Sequence, residues 1–385
     1  MGGVLFLLNS DFGVKNTIGA RAKPIADELI KNHNLKIICR GYDKNLKSRY
    51  NIIQIFSHAD IIMKLLTAIP IYLSKRFPAN KIKNNIFEHL TINKLKNIDL
   101  NEYDIVHSWE FLPRVYKYIK EKNPEIKIIQ DVPMAFPNVL RNLKDYNILF
   151  TGEIPEIPDY VKQSLKYIDY YIAPSEFVKK SLINEGIDET KIFVVPFGVD
   201  IEKFKPIKKD YNGTFKVAFS GNVNNRKGIS YLIQAWKELN LKNAELNIYG
   251  RVYPEVKKYF NDAEKYNIKI YGFVKNIEEE LPKNHIYVFP SLLEGSAKSV
   301  YEALACGLPV ITTENAGSVV EDGKEGFIIP TQDVESLKEK ILFFYNNREA
   351  IKEFGKRARK KAEQYTWENY GKRVVEIYKL VSEDG

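Results

Sequence analysis

The chain has 385 residues, which is long enough for two domains that each bury a core of their own. Hydrophobic residues make up 44% of it and charged residues 28%, with a formal net charge of +9, as in an ordinary globular protein. The two cysteines, Cys39 and Cys306, lie far apart and the histidines lack metal-ligand spacing, so we expect no disulfide framework, no structural metal and no cofactor.

The first apolar run, residues 4–8, has the length of a strand and shows no basic leader or cleavage site. It leads into a loop that contains Gly13 and then into an amphipathic helix over about 18–31. This pattern predicts a doubly wound sheet, in which ligands meet the loops that follow the strands. The dinucleotide fingerprint GxGxxG is missing from the loop. No apolar run is long enough to span a membrane, so a cytoplasmic location is expected.

Residues 59–77 form the most apolar segment of the first half, and Lys81 and Lys83 follow it closely. One interpretation is a helix that lies on an anionic membrane surface, with its basic residues near the lipid phosphates. The other is a core helix that is broken at Pro70. The net positive charge fits an anionic partner, but it is also typical of a solvated surface. The sequence shows no aromatic-basic pattern of the RNA-binding type, so nucleic acid is not an expected partner.

Two further strands of the first half end on polar and aromatic residues. Residues 104–108 contain His107 and are followed by Trp109, and residues 126–130 are followed by Asp131. Because the carboxyl ends of parallel strands meet at one edge of a sheet, these side chains are predicted to line a cleft. A lone histidine in such a run is, by itself, more often a satisfied core group.

The turn at residues 196–200 is the predicted domain boundary, so the first domain comprises residues 1–197 and the second residues 198–365. Strands that alternate with helices in both halves predict two doubly wound parallel sheets that face each other. Thr366 is expected to cap a final helix. The helices predicted earlier in the second half cover residues 229–239, 254–266, 277–282 and 297–305.

The stretch from residue 288 to residue 309 joins a short strand, a loop and the start of a helix. The first N–H groups of a helix have no internal partner and the helix dipole favours negative charge there, so this joint suits an anion. Gly295 allows a ligand near the backbone, and Lys298 adds a cation. Glu294 and Glu302 can both face one ligand at the helix end. Two glutamates at this spacing are also compatible with ordinary surface charges.

A second loop, residues 220–228, follows the first strand of the second half and reads SGNVNNRKG. Arg226 and Lys227 stand just before a helix, where two cations can hold a diphosphate. The loop is not a P-loop, because the lysine would then follow the second glycine. An exposed polar turn is the alternative interpretation. Since both loops follow strands of the same predicted sheet, they are expected to form one anion site.

Taken together, these features resemble the retaining, nucleotide-sugar-dependent glycosyltransferases of family 4 along nearly the whole chain. The stretch with seven residues between Glu294 and Glu302 matches the signature of that family. The resemblance implies the α/β GT-B fold, in which two Rossmann-like domains face each other. It also implies that the C-terminal helix, within residues 366–385, crosses back to the first domain. The other matching segments lie at residues 172–206, 219–236, 271–274 and 366–378.

The resemblance also implies roles for individual residues. Lys227, with Arg226 as its helper, would hold the donor diphosphate, while Glu302 would bond the ribose hydroxyls. Glu294 would contact the transferred sugar, so Glu294, Lys227 and Arg226 are the expected catalytic residues. The expected acceptor side comprises His107, Trp109 and Asp131, and no residue is expected to bind a metal. The expected donor-binding residues are Gly13, Gly221, Asn222, Arg226, Lys227, Arg251, Phe273, Val274, Glu294, Gly295, Ser296, Ala297, Lys298, Ser299 and Glu302.

Three positions depart from the family pattern. Asn222 stands where the family usually has an arginine, which leaves Arg226 or Arg251 to compensate. Trp109 stands where the family often has a histidine, and Ala297 replaces a commoner glycine. The resemblance therefore defines the acceptor side less well than the donor site.

The expected function is transfer of a sugar, with anomeric retention and without a metal, from a UDP- or GDP-linked donor to a sugar or lipid-linked acceptor. Preorganised N–H groups and cations can stabilise the charge that develops on the leaving diphosphate. Another enzyme of the same fold, a nucleotide-sugar epimerase or a sugar-phosphate synthase, is the first alternative. A protein without catalytic activity that binds an anionic membrane surface is the second, and peripheral association with the inner membrane face is left open.

Overall fold

The computed structural model of the chain describes residues 2–14, 17–55, 79–143, 145, 149 and 156–383, and for a few of these, including Lys81 and Lys83, the backbone alone. The apolar segment at 59–77, with its two interpretations, lies outside the described residues. In the described part of the chain, no helix combines the length and the hydrophobicity needed to cross a bilayer.

The first domain is built on a parallel sheet with strand order β3-β2-β1-β4-β5-β6-β7. Its strands are apolar almost without interruption, because helices cover both faces of such a sheet. In β1, for example, all residues from Val4 to Leu8 are fully buried. The strands are β1 (Gly3–Phe12), β2 (Leu35–Tyr42), β3 (Asn51–Gln54), β4 (Tyr103–Ser108), β5 (Lys127–Asp131), β6 (Tyr170–Ala173) and β7 (Ile192–Val194).

The second domain is built on a second parallel sheet, with strand order β10-β9-β8-β11-β12-β13. The prediction of two doubly wound parallel sheets is therefore confirmed. The edge strand β13 was not predicted. The strands are β8 (Phe215–Ser220), β9 (Ala244–Tyr249), β10 (Ile268–Gly272), β11 (Ile286–Phe289), β12 (Val310–Thr313) and β13 (Gly326–Ile329). The predicted boundary after residue 197 falls between the two sheets, and its exact position stays a prediction.

The α-helices lie on both sides of the sheets and follow most of the predicted segments. In the first domain they are α1 (Ile18–Leu29), α2 (Ala79–Leu95), α3 (Pro113–Lys122), α4 (Asp159–Leu165) and α5 (Glu176–Ile183). After β8 they are α6 (Ile229–Leu239), α7 (Ile277–Glu280), α8 (Lys298–Ala305), α9 (Val334–Asn346), α10 (Arg348–Ala362) and α11 (Trp367–Glu383).

Two predicted helices of the second domain are wrong in detail. Residues 254–266 form two 3-10 segments instead of one α-helix, because Asp262 between them has a non-helical backbone conformation. The helix predicted over 277–282 is a single α-helical turn that continues as a 3-10 turn. Pro282 explains this change, since it has no N–H group to extend an α-helical hydrogen-bond pattern.

The last helix, α11, crosses back and packs against α1 of the first domain, as the resemblance implied. Gly371 permits the close approach, because a Cβ at this position would overlap the carbonyl oxygen of Pro24. The helix buries one apolar face, which includes Tyr370, Val374 and Tyr378. The C-terminal end of the chain therefore completes the core of the N-terminal domain.

Candidate functional site

The loop after β8 is held against its neighbours by backbone contacts that only glycines permit. Gly228 has a φ of 68°, and a Cβ there would overlap the carbonyl oxygen of Pro290 at the end of β11. A Cβ at Gly250, after β9, would likewise overlap the carbonyl oxygen of Gly221. The side chain of Asn224 accepts a 3.2 Å hydrogen bond from the backbone N–H of Lys227. These contacts fix the two cations of the loop beside β11.

Arg226 and Lys227 converge on a single carboxylate oxygen, Oε1 of Glu294. Arg226 Nη1 donates to this oxygen over 2.8 Å and to the carbonyl of Leu293 over 2.7 Å. Lys227 Nζ forms an ion pair with the same Glu294 oxygen, and the Ser291 hydroxyl donates to it over 3.2 Å. The two loops that the sequence singled out therefore meet at one point.

This cluster is shielded from solvent. The side chains of Lys227 and Glu294 are 13% and 10% exposed, and Lys227 Nζ lies 4.8 Å from the ring centre of Phe289. Burial lowers the pKa of Lys227 below its ordinary value, and the negative charge of Glu294 partly offsets that shift. Because both partners of the pair are largely desolvated, its net stabilisation is small, and a second anion can compete with Glu294 for the cations.

The segment that leads into α8 is only partly available to a ligand. The backbone N–H of Glu294 bonds the carbonyl of Asn315, and that of Ala297 bonds the carbonyl of Ala316. Ala297, one of the expected donor-binding residues, therefore uses its N–H within the protein and cannot offer it to a ligand. Lys298 and Ser299 start the helix, where N–H groups have no preceding turn to bond.

The second glutamate, Glu302, lies half-buried on α8 among charged side chains. Burial raises its pKa to about 7, and the positive charges of Lys298 and Lys203 oppose that shift. Glu278 on α7 adds a second negative charge, and its Oε1 lies 3.1 Å from Lys203 Nζ. Sequence reasoning gave no role to Lys203, although it lies in the matching segment 172–206, and missed Glu278, which lies in a polar segment without a motif.

The predicted base and phosphate loops follow β1, β8, β9 and β10. Phe273, in the turn after β10, is 84% exposed, and Val274 beside it is partly buried. Asn222 and Arg251 are exposed, and Arg251 lies near the ring of Tyr253. Gly13 has a φ of 76°, a left-handed conformation that favours glycine, and a Cβ there would meet the end of the Leu46 side chain. The roles expected for these residues stay predictions.

His107 lies in the core rather than on the cleft surface that the sequence predicted. Its side chain is fully buried, its Nδ1 is hydrogen-bonded to the hydroxyl of Tyr378 on α11, and its ring stacks on Trp109 at 4.0 Å. Burial lowers the pKa of His107 to about 3, so the imidazole is neutral at ordinary pH. The physical reason for the difference is α11, which covers this strand from a distant part of the chain.

Asp131 is buried next to groups that sequence reasoning missed. Arg21 of α1 lies 3.5 Å from its carboxylate, and the hydroxyl of Tyr370 on α11 donates to it at 3.5 Å. Burial raises the pKa of Asp131, and the charge of Arg21 opposes that shift. A signal for Arg21 was present, since it lies on the otherwise apolar, buried face of α1.

The two domains touch directly at the loop that carries Glu294. The hydroxyl of Ser175 donates a 2.6 Å hydrogen bond to the carbonyl of Gly295 and accepts one from the N–H of Val178 at the start of α5. A Cβ at Gly295 would overlap the carbonyl oxygen of Pro133, which follows β5. The end of β5 and the start of α5 therefore support this loop. A crevice of about 360 Å³ adjoins Ser175, but Glu294 is not among its lining residues.

Two family models match the chain one after the other. The model described as "Glycosyltransferase Family 4" matches residues 20–203, and the model described as "Glycosyl transferases group 1" matches residues 200–361. A group of at least three acidic, histidine or cysteine residues that could hold a metal ion is not found among the described residues.

Relatives and solved structures agree with these models. An uncharacterised glycosyltransferase of Methanocaldococcus jannaschii is 29% identical over 230 residues, which cover 58% of this chain and 63% of the relative. The chain thus spans less than two thirds of the length of the curated relatives that it first matches. The structure of sucrose-phosphate synthase from Thermosynechococcus elongatus is similar with a TM-score of 0.73 at 15% identity, over 99% of both chains. That of Anabaena Alr3699/HepE in complex with UDP and glucose has a TM-score of 0.66 at 15% identity, over 98% of this chain and 100% of that one.

The two family models follow one another along the chain from residue 20 to residue 361, and the similar solved structures match the fold over almost its full length. The chain therefore belongs to the family 4 type of glycosyltransferases and has the GT-B fold.

Proposed function

We propose that this protein transfers a sugar from a nucleotide-diphosphate sugar, linked to UDP or GDP, to a sugar or lipid-linked acceptor, with retention of the anomeric configuration. The observation that carries the proposal is the convergence of Arg226 and Lys227 on one carboxylate oxygen of Glu294, next to the start of α8. Two cations and a helix N-terminus at one point form a site for a diphosphate.

In the proposed complex, the donor diphosphate takes over the cations that Glu294 holds in the free protein. Both cations reach Glu294 from one short loop, so a phosphate at the same point can be bonded by both. The N–H groups of Lys298 and Ser299 add donors from the first turn of α8. Glu294, once released, can accept hydrogen bonds from hydroxyl groups of the transferred sugar.

The proposed reaction breaks the bond between the anomeric carbon and the leaving phosphate oxygen. The acceptor oxygen attacks the anomeric carbon on the face from which the phosphate leaves. The proton of the acceptor hydroxyl passes to the leaving phosphate oxygen. Arg226 and Lys227 stabilise the negative charge that grows on the diphosphate in this step. We propose that these cations, with the N–H groups, serve in place of a metal ion, and that no cofactor takes part.

With the diphosphate placed at Arg226 and Lys227, two further donor contacts are proposed. Glu302 would bond the ribose hydroxyls, and the exposed ring of Phe273 would stack on the base. Support for a uridine nucleotide comes from Alr3699/HepE, a protein of similar fold that was solved with UDP and glucose. Peripheral contact with an anionic membrane remains part of the proposal for a lipid-linked acceptor.

A thermal-shift screen against UDP, GDP, ADP and their common sugar conjugates tests the proposed donor class. A ligand that binds only the folded state raises the melting temperature by mass action. We expect a clear shift with one base, and release of that nucleoside diphosphate only when an acceptor is present. The absence of a shift with every nucleotide would contradict the proposal, and product formation without an acceptor would point to an epimerase.

Lys227→Ala should weaken binding of the nucleoside diphosphate by roughly ten- to a hundred-fold, as expected when a charge-assisted hydrogen bond is lost. Lys237→Ala is the matched control, because this lysine pairs with Asp262 on the surface of the same domain. We expect the control to bind the nucleotide like the wild type, in calorimetric titrations of all three proteins. Equal affinities of the wild type and Lys227→Ala would show that the diphosphate does not bind at Lys227.

A further inference from the structure

The loop that carries Glu294 belongs to the second domain, but its apolar side chains are buried against the first. Leu292 and Leu293, which directly precede Glu294, lie in one buried apolar cluster with Val132 and Phe177 of the first domain. Removal of these side chains from water favours contact between the loop and the first domain. The position of this loop therefore depends on both domains.

Close backbone contacts surround the same loop. A Cβ at Gly295 would overlap the carbonyl oxygen of Pro133, which follows β5 of the first domain. A Cβ at Gly317, after β12 of the second domain, would overlap the carbonyl oxygen of Gly295 and lie 2.7 Å from Oγ of Ser175. The backbone at Gly295 thus lies between a strand end of one domain and a loop of the other.

A hydrogen bond from the first domain holds the peptide group that follows Gly295. The backbone N–H groups of Glu294 and Ala297 bond carbonyls of the segment after β12, within the second domain. Between these two points, the carbonyl of Gly295 accepts a 2.6 Å hydrogen bond from the hydroxyl of Ser175. Because the backbone of a glycine rotates more freely than that of other residues, this bond helps to fix the path of the chain next to Glu294.

The single hydroxyl of Ser175 makes two bonds of different kinds. As the N-cap of α5, it accepts a 3.3 Å hydrogen bond from the N–H of Val178. It donates its own proton to the carbonyl of Gly295, and the side chain is only 5% exposed. A cap needs only an acceptor, whereas the bond to a carbonyl needs a donor. The contact between the domains is therefore chemically separable from the cap.

We propose that Ser175 is a positioning residue for sugar transfer, because its hydroxyl holds the carbonyl of Gly295 and thereby sets the direction of the Glu294 side chain. The inference rests on the proposed function, in which Glu294 contacts the transferred sugar. Ser175 acts through Glu294 and takes no part in the bond changes. Since the hydrogen bond crosses from one domain to the other, Glu294 is aligned only while the two domains meet at this point.

Two substitutions separate positioning from helix capping. Ser175→Ala removes the donor and the cap, whereas Ser175→Gly removes the donor at little cost to the helix, because glycine is itself a favourable N-cap residue. Both variants should lower kcat by about tenfold to a hundred-fold, the size of effect caused by a small misplacement of a group at the reacting centre. The dissociation constant of the nucleoside diphosphate should stay within about twofold of the wild type, because the loop of Arg226 and Lys227 is bonded within the second domain.

Asp188→Ala is the control for a lost cap. Its carboxylate caps the 3-10 turn at residues 189–191 on the surface of the same domain, away from Glu294. We expect this variant to keep the kcat and the nucleotide affinity of the wild type. A kcat within about twofold of the wild type in both Ser175 variants would overturn the inference. A loss of kcat in Ser175→Ala that is absent from Ser175→Gly would also overturn it, because the loss would then follow the stability of α5.

Hydrogen exchange tests the same bond without any substrate. Amide exchange in the segment 291–297 should be about fivefold faster in Ser175→Gly than in the wild type, as expected when one hydrogen bond that restrains a loop is lost. Exchange in Asp188→Ala should match the wild type. Unchanged exchange in Ser175→Gly would contradict the positioning role. A wild type that neither binds nucleotide nor transfers sugar would contradict the proposed function, while the exchange rates would still decide whether Ser175 holds this loop.

Discussion

Glu294 is the residue on which the proposed donor site depends. In the free protein its single carboxylate balances one of the two positive charges of Arg226 and Lys227, so the site keeps a net positive charge before any nucleotide arrives. In the proposed complex, the donor diphosphate takes over these cations and leaves Glu294 free beside the sugar. The proposal therefore couples binding of the diphosphate to alignment of the sugar through one side chain.

Glu294→Gln should separate these two roles. Nucleoside diphosphate should bind as tightly as to the wild type or up to about tenfold more tightly, because a competing negative charge is gone. Turnover should fall by about a hundred-fold, the usual size of the effect when a hydrogen bond to the reacting group is lost. Calorimetry and initial rates measure the two quantities.

The matched control for this change is Glu321→Gln, because Glu321 is also shared by two lysines, Lys324 and Lys361, but lies on the surface. The control should alter neither nucleotide affinity nor turnover. Weaker nucleotide binding by Glu294→Gln would mean that Glu294 supports the cations instead of competing for them.

The raised pKa of Glu302 predicts that donor binding depends on pH. A carboxylate accepts ribose hydroxyls in its ionised form, and its pKa of about 7 in the free protein means that protonation competes as the pH falls. Affinity should therefore be full above about pH 8 and decrease, by up to tenfold per pH unit, below pH 7. A nucleotide sugar is the right ligand, because its diphosphate has no ionisation in this range.

Glu302→Gln should flatten this profile between pH 5 and pH 8. Lys298, Lys203 and Glu278 are the charged groups that face Glu302, and their side chains stay in place in the variant. An unchanged slope in Glu302→Gln would assign the pH dependence to another group. Titrations of the wild type and the variant at four or more pH values give the comparison.

At the scale of elements, the backbone geometry of the loop between β8 and α6 determines where Arg226 and Lys227 lie. Gly228 adopts a left-handed conformation and lies against Pro290, which ends the neighbouring strand β11. Leu292 N–H and the Ser291 hydroxyl both bond the carbonyl of Arg226. The cations thus reach Glu294 because two strand-end loops are joined through their backbones.

Gly228→Ala should move this loop and weaken nucleotide binding at least tenfold. It should also lower the free energy of unfolding by more than the about 1–2 kcal/mol that a left-handed non-glycine residue costs, because the Cβ overlaps Pro290. Gly186→Ala is the control, since Gly186 has a φ of 84° but no heavy atom within 4 Å of the point where a Cβ would lie. Urea unfolding and nucleotide titration of both variants make the comparison, and equal nucleotide affinities would argue against this support role.

At the scale of the whole molecule, α11 ties the end of the chain to the first domain. Tyr378 bonds His107 of β4, and Tyr370 bonds Asp131 at the end of β5. Phe197, near the domain boundary, packs against Trp367 and Tyr370. The carboxyl ends of β4 and β5 are therefore covered by a helix that comes from the other end of the sequence.

Tyr378→Phe should lower the free energy of unfolding by about 1–3 kcal/mol, because it leaves a buried imidazole nitrogen without its partner. Since the pKa of His107 is about 3, the imidazole stays neutral and the loss should be the same from pH 5 to pH 9. Tyr345→Phe should cost less, because its hydroxyl bonds the carbonyl of Lys242 at an exposed position where water can replace it. Urea unfolding followed by circular dichroism is the measurement, and a loss that varies with pH would show that His107 titrates.

Most of the fold and the central part of the candidate site could be predicted from the sequence. Alternating apolar runs and amphipathic segments identify parallel strands and helices, because both have a period that is visible over a few residues. The convergence of Lys227 and Glu294 was expected, since loops after neighbouring strands of one sheet lie at the same edge. The 3-10 segments around Asp262 and the short strand β13 were not predicted, because the hydrophobic pattern of these short segments is weak.

The sequence by itself determined the two doubly wound sheets, the final helix and the two loops with their charges, because each of these depends on neighbouring residues. Only the tertiary structure decided that Glu294 pairs with both cations, that α11 buries His107, and that Arg21 pairs with Asp131. These contacts join residues that are far apart in the chain. Their geometry depends on how helices and sheets pack, and a pattern within a short window of sequence does not contain that information.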